Sequence, residues 1–303
     1  MNAPELIPQT ALVYGLPNEE YHAQPELSNT GLRHFERSPF HYYSLHLDPL
    51  RPTEETTTPQ LEGTLAHCAI LEPDEFLKRY IVTPADAPRK PTAAQWAAKN
   101  PSPDSVAAMA WWREFNERTG GKVTISAEQY TTAMRQGNSV RRNPQVRELL
   151  ARGHAEVSAF WTDPASGVRC RCRPDFVHDA GPGRAVLVDV KTFGNASPQE
   201  FRRQIARMGY HGQAAFYSDG YAHAAGVEVL AFVFVAIEAD WPHAASAVML
   251  DEPSMAHARE TNAALLQRFA QCQQSQTWPS YSEAIELVSL PAWAFNRSTD
   301  PQE

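Results

Sequence analysis

Residues Arg173 to Lys191 read RPDFVHDAGPGRAVLVDVK, and the rest of the chain can be placed around them. The stretch predicts two short strands joined by a turn. The first ends on Pro174-Asp175. The turn, Asp179 to Gly183, is dense in strand-breaking residues. The second, Ala185 to Lys191, is apolar until it admits Asp189 and Lys191. Side chains two apart on a strand share a face, so these two point the same way. A buried strand rarely ends on an acid and a base without a use for them. If the hairpin pairs, Asp175 lies beside them. Two carboxylates and an ammonium at one strand edge could hold a divalent metal and position a water. Asp-x-Lys alone is a common pattern; the apolar strand before it, and the turn before that, give it weight.

Upstream, Val168 to Val177 (VRCRCRPDFV) predicts one strand. Alternation puts Arg169, Arg171, Arg173 and Asp175 on one face and Cys170 and Cys172 on the other. Three arginines in a row do not suit a core. Two readings stand: a solvated face, or an approach to phosphates beside a metal site. The strand before it, Ala155 to Thr162 (AEVSAFWT), carries Glu156, which could add a carboxylate. Downstream, a loop leads to a helix over Pro198–Met208 with Arg202, Arg203 and Arg207. A second helix, Tyr210–Ala224, holds Gln213 and Tyr217 one turn apart on one face. They read as a buried hydrogen-bonding pair or as part of a site. Val227 to Glu238 is a strongly apolar strand, with Ala245 to Leu250 pairing to it. Pro253 to Gln276 is a long helix. The tail from Thr277 is irregular, with Trp278, Tyr281 and Trp293 docking on the body.

The N-terminal half is mostly helical. Residues 1–27 show no clear element. Ser28 N-caps a helix over Asn29–Phe35, and Ser38-Pro39 starts another over Phe40–Leu47. Gln60 to Leu71 (QLEGTLAHCAIL) repeats Leu61, Leu65, Cys68 and Ala69 at helical spacing. Gly63 and His67 share one of its faces. A lone helical histidine is more often structural or exposed than a ligand, but Gly63 would let a partner approach beside it. A strand over Arg79–Thr83, an irregular insertion at 85–103, and helices over Ser105–Thr119, Ser126–Asn143 and Pro144–Arg152 follow. These helices form a cap over one side of the sheet, with Trp111, Trp112 and Phe115 as a core stripe.

Composition sets bounds. The chain has 303 residues, 43% hydrophobic and 20% charged, as in a soluble globular protein of one large domain or two small ones. No apolar run reaches membrane-spanning length, and the N-terminus shows no signal peptide. Cys170 and Cys172 are too close for a mutual disulfide or a zinc knuckle, so the four cysteines read as buried thiols of a cytoplasmic protein. A net charge of −8 argues against non-specific coating of nucleic acid but leaves room for a local basic groove.

Taken together, these motifs resemble the PD-(D/E)xK nuclease superfamily. More closely, they resemble the exodeoxyribonuclease VIII (RecE-type) nuclease domain of phages and prophages. The matching residues are Gly63-Thr-Leu-Ala-His67 with Leu71-Glu72-Pro73, Cys170 through Asp175, Val188-Asp189-Val190-Lys191-Thr192, and Gly209 through Gln213 with Tyr217. The resemblance implies an α/β fold: a restriction-endonuclease-like central mixed sheet flanked by helices, with an N-terminal helical cap. The nuclease domain would span 28–276, with 85–153 as a helical insertion, 1–27 as an extension and 277–303 as a tail. It implies a divalent metal, Mg²⁺ or Mn²⁺, held by His67, Asp175, Asp189 and the Val190 carbonyl. Lys191 would orient or deprotonate the attacking water, and Gln213 and Tyr217 would support the site and the DNA end. Arg169, Arg171, Arg173, Arg202 and Arg203 could neutralise phosphates. Beside a metal cation, Lys191 should have a lowered pKa.

The implied activity is 5′→3′ digestion of linear duplex ends to leave 3′ single strands for recombination. Its partners would be double-stranded DNA ends, a homo-oligomeric ring and a single-strand annealing protein, with no membrane. The four-cysteine pattern of iron–sulfur relatives is absent. The alternatives are an internal-cutting or structure-specific endonuclease of the same fold, an inactive DNA-binding subunit, and a coincidental motif in a cytosolic protein of another kind.

Overall fold

The stretch Val168–Val177 is two strands, not one. The computed structural model describes residues 8, 10–52, 57–282 and 284–295. In chain order its first elements are β1 (Ala11–Val13), α1 (Asn18–Ala23), α2 (Asn29–Arg37), α3 (Pro39–Tyr42), α4 (Thr58–Leu71) and α5 (Phe76–Arg79). Then come β2 (Tyr80–Val82), α6 (Ala93–Trp96), α7 (Pro103–Arg118), β3 (Val123–Ile125), α8 (Ala127–Arg142) and α9 (Pro144–Leu149). The strands β4 (Gly153–Ala155), β5 (Ser158–Thr162), β6 (Arg169–Cys172), β7 (Phe176–Asp179) and β8 (Arg184–Phe193) follow. The chain continues through α10 (Pro198–Met208), α11 (Tyr210–Ala225), β9 (Glu228–Glu238), β10 (Ala245–Met249), α12 (Glu252–Ser275) and α13 (Ala292–Phe295).

A five-stranded mixed sheet, ordered β10-β9-β8-β7-β4, forms the centre, with β8 and β9 parallel and the other neighbours antiparallel. Beside it lies a three-stranded antiparallel sheet, β1-β5-β6. Each of two predicted strands therefore divides between two sheets. AEVSAFWT gives β4 to one and β5 to the other; VRCRCRPDFV gives β7 to one and β6 to the other. The two breaks are tied together, because the Glu156 N–H donates to the Asp175 carbonyl at 3.1 Å. Pro174 has no N–H to continue a ladder, and Glu156 adopts a left-handed φ of 55°.

Helices cover both faces. On β8 the period of two separates the cores: Val186, Val188 and Val190 pack with Ile70 of α4, Val140 of α8 and Val146 of α9. Leu187 lies in the opposite core with Cys170, Cys172, Phe201, Phe216, Phe234 and Phe269. All four cysteines are buried and free. Trp112 and Phe115 are buried as a core stripe, with Trp111 stacked on Phe115 at 5.0 Å.

Helix starts follow their caps. The Ser28 hydroxyl accepts from the Gly31 N–H, and Ser126 and Gln129 form a reciprocal capping box. The helix expected over 40–47 is instead α3 followed by a π-helical turn at Tyr43–Leu47.

Residues 1–27 hold more than expected. β1 pairs with β5, α1 packs Tyr21 into the body, and Leu27 bridges to Cys170. These are pieces of three to six residues, too short to show a periodicity. In the tail, Trp278 packs on Tyr42 and Phe269. Tyr281 stays 69% exposed, touching the body through the Arg37 guanidinium. The side chain of Trp293 lies outside the described residues. Among the described residues no helix is long and apolar enough to cross a membrane.

Candidate active site

The site forms where β8 outruns its neighbour. β7 begins at Phe176, opposite Val188, so β8 continues through Phe193 with its β7-side edge uncovered. Asp175, in the bend just before β7, uses that edge: its Oδ2 accepts from the Val190 N–H at 2.6 Å. A strand residue's N–H and C=O point to the same side, so the Val190 carbonyl lies along the same edge.

His67 arrives from α4, with Nδ1 at 3.5 Å from Asp175 Oδ2. Glu156 arrives from the other strand break. One potential ligand atom from each of His67, Glu156 and Asp175 lies within 4.8 Å of the others. Packing two carboxylates together in a half-buried place is costly. Burial, then the neighbouring Asp175, pushes the Glu156 carboxyl up to about 8. The Arg173 guanidinium stands 4.0 Å from Glu156 and offsets part of this.

Asp189 belongs to a different arrangement. It is 1% exposed; its Oδ1 accepts from Gln213 Nε2 at 2.7 Å, and Lys191 Nζ lies 2.5 Å from Oδ2. Burial pushes Asp189 up to about 6 against the pull of Lys191. In Lys191, burial alone would lower the pKa, but Asp189 and Asp175 outweigh it and hold the ammonium above its ordinary range. The two shifts favour opposite states of the pair. The ionised pair is the better description, because the short contact and the Gln213 donor both favour a carboxylate. Without a cation present, Lys191 is therefore raised rather than lowered. Its ammonium also sits 4.9 Å from the Tyr210 ring centroid.

The remaining expected residues divide. Tyr217, one turn after Gln213, is half-buried against Phe232. Burial pushes its phenol well above the usual range, with Tyr21 and then Cys172 adding to the effect. Arg171 and Arg173 are buried, not offered to solvent. Arg171 donates to the Tyr21 carbonyl; Arg173 donates to Ser158 Oγ and to the Leu16 carbonyl, each at 2.9 Å, and both guanidinium groups lie over the Tyr21 ring. They fasten the N-terminal segment. Arg169 pairs with the buried Glu26 at 2.7 Å. Arg202 and Arg203 are exposed on α10, with Arg203 paired to Glu200.

A cleft of about 730 Å³ opens on the His67 and Glu156 side of the site. Its wall includes Leu16 and Asn18 from the N-terminal segment and Arg79, which holds Glu72 bidentately at 2.7 and 2.8 Å. No periodicity or motif marks Leu16 or Asn18, and Glu156 carried only its position one strand earlier.

The donor set fits a hard divalent cation. It offers one imidazole, two carboxylates and a backbone carbonyl on the uncovered strand edge, with the Asp189–Lys191 ion pair beside them.

A family described as "PDDEXK-like domain of unknown function (DUF3799)" matches residues 28–291. The chain belongs to this family. No curated protein matches it. A solved structure described as "Putative exonuclease" from Eubacterium rectale superposes with a TM-score of 0.57 at 12% identity, covering 94% of this chain and 100% of that one. At that identity the likeness is one of fold, and it agrees with the PDDEXK-like family and the mixed sheet flanked by helices. A second structure, SSO0001, gives a TM-score of 0.26 at 12% identity over 68% of this chain and 86% of that one, too low to bear on the fold.

Proposed function

We propose that this PDDEXK-like protein hydrolyses DNA phosphodiester bonds with a divalent cation, Mg²⁺ or Mn²⁺. One observation carries the reading: an imidazole, two carboxylates and an ion-paired lysine converge on one uncovered strand edge. His67, Glu156 and Asp175 would hold the cation, with Asp189 and the Val190 carbonyl contributing from β8. When bound, the cation supplies positive charge that polarises a phosphate and makes water more acidic. Gln213 fixes Asp189, and Asp189 fixes the Lys191 ammonium at the edge of the site. From there Lys191 orients the attacking water and offsets negative charge gathering on the phosphate. Tyr217 stiffens the helix face behind Gln213. Among the arginines, exposed Arg202 and Arg203 suit phosphate contacts, whereas Arg171 and Arg173 support the wall.

In its finer form the reading is 5′→3′ digestion of linear duplex ends by a ring-forming homo-oligomer, leaving a 3′ strand for an annealing protein in recombination. It is supported by the resemblance to RecE-type domains and by the exonuclease wording attached to the Eubacterium rectale protein. The test is a time course on 5′- and 3′-labelled linear duplex and on covalently closed circles, with Mg²⁺, Mn²⁺ or EDTA. Metal-dependent loss of linear DNA only, with the 5′ label released first, is expected. Cutting of closed circles would replace this with an endonuclease, and no turnover with either metal would end the nuclease reading. Sedimentation of the same sample checks the ring.

A further inference from the structure

Gly63 sits in the middle of α4, where glycine costs helix stability relative to almost any other residue. A β-carbon there would touch nothing outside the helix: no such atom lies within 4 Å of a Cβ built on it. Gly137 on the facing helix α8 is different, because a Cβ there would meet the Ala69 carbonyl at 2.8 Å. Packing therefore accounts for Gly137 and leaves Gly63 without a structural reason.

Gly63 borders two clefts. One is the cleft beside His67 and Glu156. The other, of about 790 Å³, lies across the same helix turn and reaches Thr192 and Phe193, just beyond Lys191. This second cleft shares Glu128, Thr132, Ala239 and Asp240 with a third, of about 470 Å³, which ends at Trp241. The loop carrying Trp241 is fixed to the end of β8, since the Ala239 N–H donates to the Phe193 carbonyl at 2.8 Å. Trp241 is 74% exposed, and the Arg135 guanidinium lies 5.4 Å from its ring centroid.

We infer that the three clefts form one track for a single strand of DNA, which crosses α4 at Gly63 and stacks a base on Trp241 beside Arg135. This rests on the nuclease reading above and adds the path of the strand. An exposed indole with an arginine over it is a stacking surface for any base. The middle cleft is lined by Glu62, Glu128 and Asp240. These carboxylates repel phosphate and accept hydrogen bonds from base amino groups, so the strand that fits turns its bases inward. A duplex, with its bases already paired and its phosphates outermost, does not suit such a lining.

The test is fluorescence anisotropy of a labelled, mixed-sequence 20-nucleotide single strand in EDTA, with a blunt hairpin duplex as the second probe. Trp241→Ala should raise the single-strand Kd roughly tenfold, the size of one lost base stack, and Trp241→Phe should recover most of it. Gly63→Leu should raise it at least as much by filling the crossing point, while melting at the same temperature as the wild type or higher. If both variants bind the single strand like a wild type that degrades DNA with metal, the track is wrong and the nuclease reading stands. A loss confined to the duplex probe also overturns the track. A wild type that neither binds nor degrades DNA overturns both.

Discussion

Two groups of acids lie within reach of one strand edge, and they are built in opposite ways. Asp189 is enclosed, with an ammonium on one oxygen and an amide donor on the other. Glu156 and Asp175, with His67, stand half open beside a cleft. Apart from the Val190 N–H and the more distant Arg173, little offsets their charge. The first arrangement carries its own counter-charge; on the proposed reading the second would receive its counter-charge from a cation. On that reading the first is chiefly a support, with a minor share in the cation, and the second is where most of the cation's ligands lie, although both are made of carboxylates.

The severest way to break this comparison is Lys191→Ala. It should lower turnover on linear duplex by roughly 10²–10⁴-fold. It also leaves Asp189 buried without its partner, so about 3–5 kcal/mol of stability should go in urea unfolding. The double variant Asp189→Asn with Lys191→Met should restore stability without restoring turnover. Full activity in either would remove the pair from the site.

Metal titration is the next step down. His67→Ala and Glu156→Gln should each weaken Mn²⁺ binding by about tenfold or more in calorimetry, because on the proposed reading each removes a direct ligand. Gln213→Ala should cost about 1–3 kcal/mol of stability, since it strips a donor from a buried carboxylate. Its effect on Mn²⁺ affinity should be smaller than that of either ligand change. Equal loss of affinity in all three would erase the distinction between support and binding place.

A milder contrast appears with pH. In the chelated protein Glu156 is held up to about 8, chiefly by burial and then by Asp175, against an ordinary value of 4.5. A raised carboxyl keeps its proton in the folded state after the unfolded chain has lost it. Stability in EDTA should therefore fall as pH rises from about 4.5 to about 8 and level off above that. Glu156→Gln should flatten this slope, visible as a Tm gain at pH 9 and none at pH 4. An unchanged slope would place the charge elsewhere. The smallest effect concerns the periphery: Arg202→Gln and Arg203→Gln should each reduce the salt dependence of DNA affinity by about one phosphate contact. No change would take α10 off the DNA path.

Much of this was legible because it depends on local rules. Ser28, Ser38-Pro39 and Ser126 mark helix starts through their own hydroxyls. His67 falls on a definable face of α4, and Asp189 and Lys191 share a face of β8. Less legible was anything decided where two elements meet. VRCRCRPDFV alternates without interruption, so the break at Arg173–Asp175 shows in sequence only as Pro174. The arginine row has the spacing of a phosphate-binding face, yet Arg171 and Arg173 turn toward Tyr21, whose helix is too short to predict. Glu156 reaches the site because its backbone turns left-handed between two sheets, and no pattern of neighbouring residues reports that.

The family match begins at residue 28, yet β1 lies upstream of it and covers one side of β5. A chain trimmed to that boundary would leave the Ser158–Phe160 part of that strand with a bare row of amides and carbonyls, and Phe160 without the Tyr21 ring beside it. Such an open border recruits strands from other molecules. Recombinant protein beginning at residue 28 should therefore self-associate and precipitate, for a reason unrelated to catalysis.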